Sequence, residues 1–110
     1  MIDEDGIIFS EQITTSISRP EKTLFLAVLL QALLDATKPE YDGEPEHAVM
    51  ERDRAKAWFF ASIGVTAEDF NEVCDNAGIN PAYMRRFAYK VLKSGEVDFV
   101  RKRINAILGH

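Results

Sequence analysis

Hydrophobic residues recur at intervals of three and four positions along most of the chain after residue 19, and this spacing predicts a succession of helices. The first predicted helix spans about residues 21–37 and begins after Pro20, where proline is tolerated and no backbone donor is lost. Its residues are apolar on nearly every side, so we expect it to be buried from several directions. It is either the central helix of the core or the seam of a dimer.

A second predicted helix follows a loop at residues 38–45 that contains proline and glycine. This helix spans about residues 46–62, with Trp58 as an anchor in the core. One side of it carries Met50, Arg54, Ala57 and Ala61. The side expected to face solvent carries Glu51, Arg52, Asp53 and Lys56.

Three further helices are predicted from capping residues and apolar stripes. Thr66 opens a sequence that resembles a capping box, so the third helix should begin there and end at Gly78. Asn80 can cap a fourth helix over residues 81–93, with proline in its first turn. An apolar stripe predicts a fifth helix over residues 97–108.

These elements predict an all-α fold, a compact bundle of about five helices. A chain of 110 residues, 46% of them hydrophobic, suits one core, so residues 20–110 are predicted to form a single domain. The arm at residues 1–19 mixes acidic, hydroxyl and apolar residues in a pattern that fixes neither helix nor strand, and it stays unassigned.

Residues 66–92 fit the spacing of a helix-turn-helix. That motif needs a small residue where two helices cross, a residue that tolerates a left-handed backbone in the turn, and apolar residues that lock the helices together. If Phe70 is counted as the first position, Cys74 is the fifth and Gly78 is the ninth. The apolar positions are Val73, Ala77, Ile79, Met84 and Phe87. Any two capped helices joined at a glycine satisfy part of this pattern.

The distribution of charge bears on whether this motif could bind DNA. A net charge of −5 argues against nucleic acid as a partner, but the charge is uneven. Residues 1–50 contain ten acidic and three basic residues, whereas residues 83–110 contain seven basic and two acidic residues. The basic charge is therefore concentrated near the carboxyl end.

The predicted fourth helix has four basic residues and no acidic one, whereas the third has four acidic residues and no basic one. In a helix-turn-helix the second helix lies in the major groove, where arginine pairs with guanine and lysine suits phosphate. The residues predicted to contact DNA are Asn80, Ala82, Arg85, Arg86, Tyr89, Lys90 and Lys93. The alternative is that these are solvated charges on an ordinary amphipathic helix. Arg101, Lys102 and Arg103 either contact phosphate or complement a helix dipole.

Residues 46–90 resemble short helix-turn-helix regulators encoded by phages and prophages of proteobacteria. The similarity lies in Ala57-Trp58-Phe59, Asp69-Phe70, Val73-Cys74, Ala77-Gly78-Ile79 with Pro81, and Arg85-Arg86. The resemblance implies a role in the control of phage or phage-derived genes, with the activators of gene-transfer agents as one example. The acidic first half has no counterpart in that group.

Residues that could support other chemistry are few, so we expect no enzyme activity, no cofactor and no metal. His47 and His110 are far apart in sequence, and each is expected to be a surface residue and not a metal ligand. Cys74, the only cysteine, is expected to be a small buried residue and not a nucleophile. No glycine-rich phosphate loop and no arrangement of Ser, His and Asp is present in the sequence.

A membrane location is also not expected. The longest apolar stretch, residues 24–34, is shorter than the roughly 20 residues that a spanning helix needs. The first residues are acidic, unlike the positive start of a signal peptide, and one cysteine suits a reducing compartment. We therefore expect a cytoplasmic protein.

The leading hypothesis is a sequence-specific, DNA-binding transcription regulator that forms a homodimer through residues 24–36 of the first helix. The rival hypothesis is a protein-binding module that engages RNA polymerase or another protein through the same scaffold, which the acidic first half favours. A DNA-binding component of phage packaging is a third alternative. Neither the target sequence nor the direction of regulation follows from the sequence.

Overall fold

The computed structural model describes residues 20–109, so the unassigned arm at residues 1–19 lies outside the described residues. The described residues form helices and connecting turns, without a β-strand, which confirms the predicted all-α fold. The five helices are α1 (Pro20–Ala36), α2 (Glu46–Phe60), α3 (Gly64–Ala77), α4 (Pro81–Lys93) and α5 (Val97–Leu108).

α1 is the central helix, and α2, α3 and α5 pack against it. Its leucines at 29, 30 and 33 are fully buried, because three neighbours cover the apolar residues that surround its axis. Of the two alternatives for this helix, the structure thus confirms the central core helix. Leu29 is fully buried, so its side chain is not available to a second copy of the chain, and the homodimer stays a prediction. Leu24 and Val28 are the large apolar side chains of α1 that stay exposed.

α3 begins at Gly64, two residues before the predicted capping box, so Thr66 lies inside the helix and does not cap it. Its N-cap position is Ile63, which provides no side-chain hydrogen bond, and Gly64 has a positive φ of 89°.

The start of α4 is as predicted. Asn80 accepts a hydrogen bond from the Tyr83 backbone N–H at 3.0 Å, and Pro81 follows as the first helical residue.

Arg52 lies on the opposite side of α2 from the one predicted. Its side chain is only 3% exposed, whereas Met50 and Arg54 face solvent. Both terminal nitrogens donate to the Glu44 carboxylate, with Nη1 3.1 Å from Oε2. A bidentate pair of this kind is among the stronger hydrogen-bonded contacts in proteins. The contact between Arg52 and Glu44 holds the loop between α1 and α2 against α2.

Arg101 binds the end of α1 from the last helix of the chain. Its Nη1 donates to the Leu34 carbonyl oxygen and, at 2.9 Å, to the Thr37 hydroxyl. α1 has no basic residue in its last turn, so its terminal carbonyl oxygens and the negative end of its dipole need a cation from elsewhere. Arg101 thus complements the dipole of α1, which is a different helix from its own, and the phosphate alternative for residues 101–103 stays a prediction.

The turn between α3 and α4 is a Schellman motif. Gly78 has a left-handed backbone, its N–H donates to the Asp75 carbonyl oxygen at 3.1 Å, and the Ile79 N–H donates to the Cys74 carbonyl oxygen at 2.9 Å. Ile79 is buried, as are Cys74 and the other apolar positions named for the motif except the half-buried Val73. The burial pattern agrees with the spacing that predicted the helix-turn-helix, and the motif itself stays a prediction.

Replacement of Gly78 by alanine is expected to destabilise the fold by about 1–2 kcal/mol, because an L side chain must adopt the left-handed backbone there. The added Cβ would also meet the end of the flexible Lys22 side chain, which can move aside. Gly95→Ala is the matched control, because Gly95 has no positive φ and a Cβ added there would meet nothing within 4 Å. Chemical denaturation followed by circular dichroism measures both, and equal stabilities would contradict the prediction.

The partly buried pair of Arg52 and Glu44 should make stability depend on pH. Hydrogen bonds from Arg52 lower the pKa of the Glu44 carboxyl below its ordinary value of 4.5. The pair therefore stabilises the fold fully above that value, and its contribution is lost as pH falls through the lowered folded-state pKa. Glu44→Gln should reduce stability at pH 7 and flatten the pH dependence below about pH 5.

The control for this prediction is Glu40→Gln. Glu40 is 3.5 Å from the same guanidinium, but its side chain is 77% exposed, so its removal should leave the pH dependence in place. Unfolding free energies measured between about pH 3 and pH 7 separate the two carboxylates. Parallel profiles for wild type and Glu44→Gln would show that the pair does not set the acid sensitivity.

Candidate nucleic-acid interface

α4 has one buried side and one outward side. The buried side packs into the core through Tyr83, Met84, Phe87, Ala88 and Val91. On the outward side, a shallow, open groove is lined by Ala82, Arg85, Arg86 and Tyr89, together with Phe60 from the end of α2. The helical spacing of 82, 85, 86 and 89 places them on adjacent turns of one face. The structure thus brings together four of the residues predicted to contact DNA.

Arg85 makes contacts within the fold. Its Nε donates to the Phe59 carbonyl oxygen at 2.7 Å, and its guanidinium carbon lies 4.8 Å from the centroid of the Phe70 ring. α2 has no basic residue in its last turn, so Arg85 supplies the cation at that helix end. The contact joins residues 26 positions apart, and local spacing gives no signal for it. Arg85 therefore holds α4 against the end of α2 while it lines the groove.

The aromatic side chains of the groove are partly exposed. Tyr89 is 55% exposed and Phe60 is 37% exposed, and their rings meet edge to face with centroids 6.5 Å apart. Lys93 Nζ lies 5.6 Å from the Tyr89 ring centroid, and Arg86 lies over the ring of Tyr83 at 5.3 Å. Lys93 and Arg86 thus each lie over an aromatic ring, of which Tyr89 is exposed and Tyr83 is buried.

The remaining predicted residues lie around the groove and do not line it. Asn80 uses its side-chain oxygen to cap α4, so that acceptor is occupied. Lys90 is half-buried and has a contact of its own, whereas Lys93 is exposed in the last turn. Phe60 was not predicted as a residue of the site, because its exposure depends on where α2 ends. The exposed apolar side chains of Ile63, at the N-cap of α3, and of Val65, in the first turn of α3, were not predicted either; they are 85% and 82% exposed.

The charge difference between α3 and α4 is present at the surface. The acidic residues of α3 are all exposed, and Asp69 accepts a hydrogen bond from Trp58 Nε1 at 2.8 Å. α4 contains basic residues and no acidic one. The outward side of α4 is therefore a cationic surface with an apolar floor, and anionic partners suit it.

The Cys74 thiol and the His47 imidazole do not line the groove. Burial raises the pKa of the Cys74 thiol to about 12, so the sulfur is protonated and weakly nucleophilic at neutral pH. His47 is exposed, and His110 lies outside the described residues. Within residues 20–109, no group of three or more His, Cys, Asp or Glu side chains could hold a metal ion. In the same part of the chain, no helix is long and apolar enough to cross a membrane.

Arg85→Ala is expected to destabilise the fold by about 1–2 kcal/mol, since it removes a charged hydrogen bond at the end of α2 and a cation–π contact. Lys102→Ala removes an exposed cation from α5 and should change stability by less than about 0.5 kcal/mol. Thermal unfolding of both variants tests this. If Arg85→Ala melts with the wild type, the contact with Phe59 contributes nothing to the fold.

Comparison with protein-family models finds no match, and comparison with curated proteins and with solved structures finds no significant match either. Any proposal for the function therefore rests on the geometry and the charge of the site.

Proposed function

We propose that the protein is a transcription regulator that binds double-stranded DNA in a sequence-specific way through the outward side of α4. The observation that carries this proposal is the groove on α4, in which Arg85 and Arg86 flank an apolar floor on a helix without acidic residues. Arginine is the side chain best suited to pair with guanine in the major groove. Lys93, exposed at the end of the helix, would contact phosphate.

The packing of α3 and α4 supports the same proposal. The Schellman turn at Gly78 and the buried residues Cys74, Ile79 and Met84 hold the two helices together. A helix-turn-helix over residues 66–92 would require such a turn and such packing. In that motif the first helix crosses the DNA backbone and the second enters the major groove. In this proposal, residues 20–109 act as one helical domain that presents α4 to the major groove of the DNA.

We further propose that the regulator acts as a dimer in the cytoplasm, on phage or phage-derived genes. One α4 offers a small contact surface, and regulators of this kind commonly gain affinity by binding two half-sites. Leu24 and Val28 are the exposed apolar residues of α1 that remain for such a contact. The genes concerned are proposed from the resemblance of residues 46–90 alone.

A second candidate function is the binding of a protein such as RNA polymerase. The pair formed by Phe60 and Tyr89, with arginines beside it, favours this candidate, because aromatic residues and arginine are enriched at protein interfaces. In this alternative, the same groove would hold an acidic segment of the partner. Neither candidate needs a catalytic residue or a cofactor.

Arg86→Ala is expected to weaken binding to a preferred duplex by about 1–3 kcal/mol and to relax the preference at one base pair. Lys93→Ala should weaken binding to all sequences alike and reduce its salt dependence, because a phosphate contact carries no sequence information. The measurement is titration of fluorescent duplexes from the native promoter region at several salt concentrations.

Arg54→Ala is the matched control, since it removes an exposed cation from α2 and should leave base preference unchanged. Circular dichroism verifies that each variant is folded. Wild-type protein that binds no duplex even at low salt, yet captures purified RNA polymerase, would contradict the DNA proposal and favour the second candidate.

A further inference from the structure

The apolar floor of the groove has no role in the contacts to guanine and phosphate proposed above. It consists of the Ala82 methyl group and the rings of Phe60 and Tyr89, between the two arginines. These side chains are exposed on the described part of the chain, and apolar groups gain free energy when a partner removes them from water. A partner that fits the whole groove must therefore offer an apolar group next to hydrogen-bond acceptors.

The charge of α4 identifies duplex DNA as the occupant that fits best. The basic residues Arg85, Arg86 and Lys93 surround the floor, and α4 has no acidic residue to repel phosphate. Among the base edges in the major groove, thymine alone offers a methyl group, and guanine offers the pair of acceptors that arginine binds. Both chemical features of the groove are thus matched by two neighbouring bases of one duplex.

We propose that the groove reads the C5 methyl group of thymine through Ala82 and Tyr89, beside a guanine that is bound by Arg86. This inference rests on the proposed function and adds the base that the apolar floor selects. Ala82 and Arg86 are four residues apart, which is a rise of about 6 Å along the helix. Base pairs are spaced by about 3.4 Å, so the thymine and the guanine would be one or two base steps apart.

The test begins with the full chain and a library of random duplexes, from which bound sequences are enriched. In an enriched duplex, each thymidine is then replaced singly by deoxyuridine, which lacks the methyl group and keeps the base pair. At one position within two base steps of a guanine, we expect the replacement to weaken binding about three- to tenfold, the size of one buried methyl group. Replacement at the other positions should change binding by less than about twofold.

Variants of the floor assign the effect to this groove. In Tyr89→Ala, the difference between the thymidine and deoxyuridine duplexes should disappear, because the methyl group no longer has a surface to contact. Phe99→Ala is the matched control, since it removes an exposed aromatic residue from α5 and should retain the full difference. Circular dichroism verifies the fold of both variants.

The outcomes of these measurements distinguish the thymine inference from the proposed DNA-binding function. Duplexes that are enriched but bind equally well with deoxyuridine at every position would overturn the thymine inference and leave the DNA function standing. A thymidine preference that persists in Tyr89→Ala and in Ala82→Gly would show that the methyl group is read elsewhere, which also overturns the assignment to this groove. Failure to enrich any duplex would overturn the proposed function and the inference together.

Discussion

The burial of α1 is the constraint on which the rest of the structure depends. Its leucines surround the helix axis, so a single neighbour leaves part of it in water, and α2, α3 and α5 all pack against it. That arrangement brings the carboxyl ends of α1 and α2 close to other helices, where their last carbonyl oxygens need donors. Arg101 serves α1, and Arg85 serves α2. Both contacts are long-range consequences of a central apolar helix.

Arg85 connects this architecture to the candidate site. Because its Nε binds the Phe59 carbonyl oxygen, the arginine ties α4 to the end of α2 and places Phe60 beside Tyr89. The groove on α4 therefore has a fixed wall, supplied by another helix, and its shape depends on the same contact that stabilises the fold. A rigid cationic surface loses little conformational entropy on binding. Such a surface would suit the recognition of a defined partner in the function proposed above.

The separation of charge between α3 and α4 has a related consequence. The exposed acidic residues of α3 and the excess of acidic residues in the first half of the chain would repel phosphate wherever they face it. A duplex would consequently approach from the side of α4, where the charge is positive. The overall negative charge would thus restrict the orientation of the proposed DNA binding and does not by itself exclude it.

The sequence by itself determined the helical class, the approximate helix bounds and the turn at Gly78, because these depend on local spacing, capping residues and the freedom of glycine to adopt a positive φ. It also predicted which residues share the outward side of α4. The tertiary structure alone decided that Arg52 is buried, that Arg85 serves a helix end and that Phe60 completes the groove. Those outcomes depend on contacts between residues distant in sequence, and the periodicity of a single helix carries no information about its neighbours.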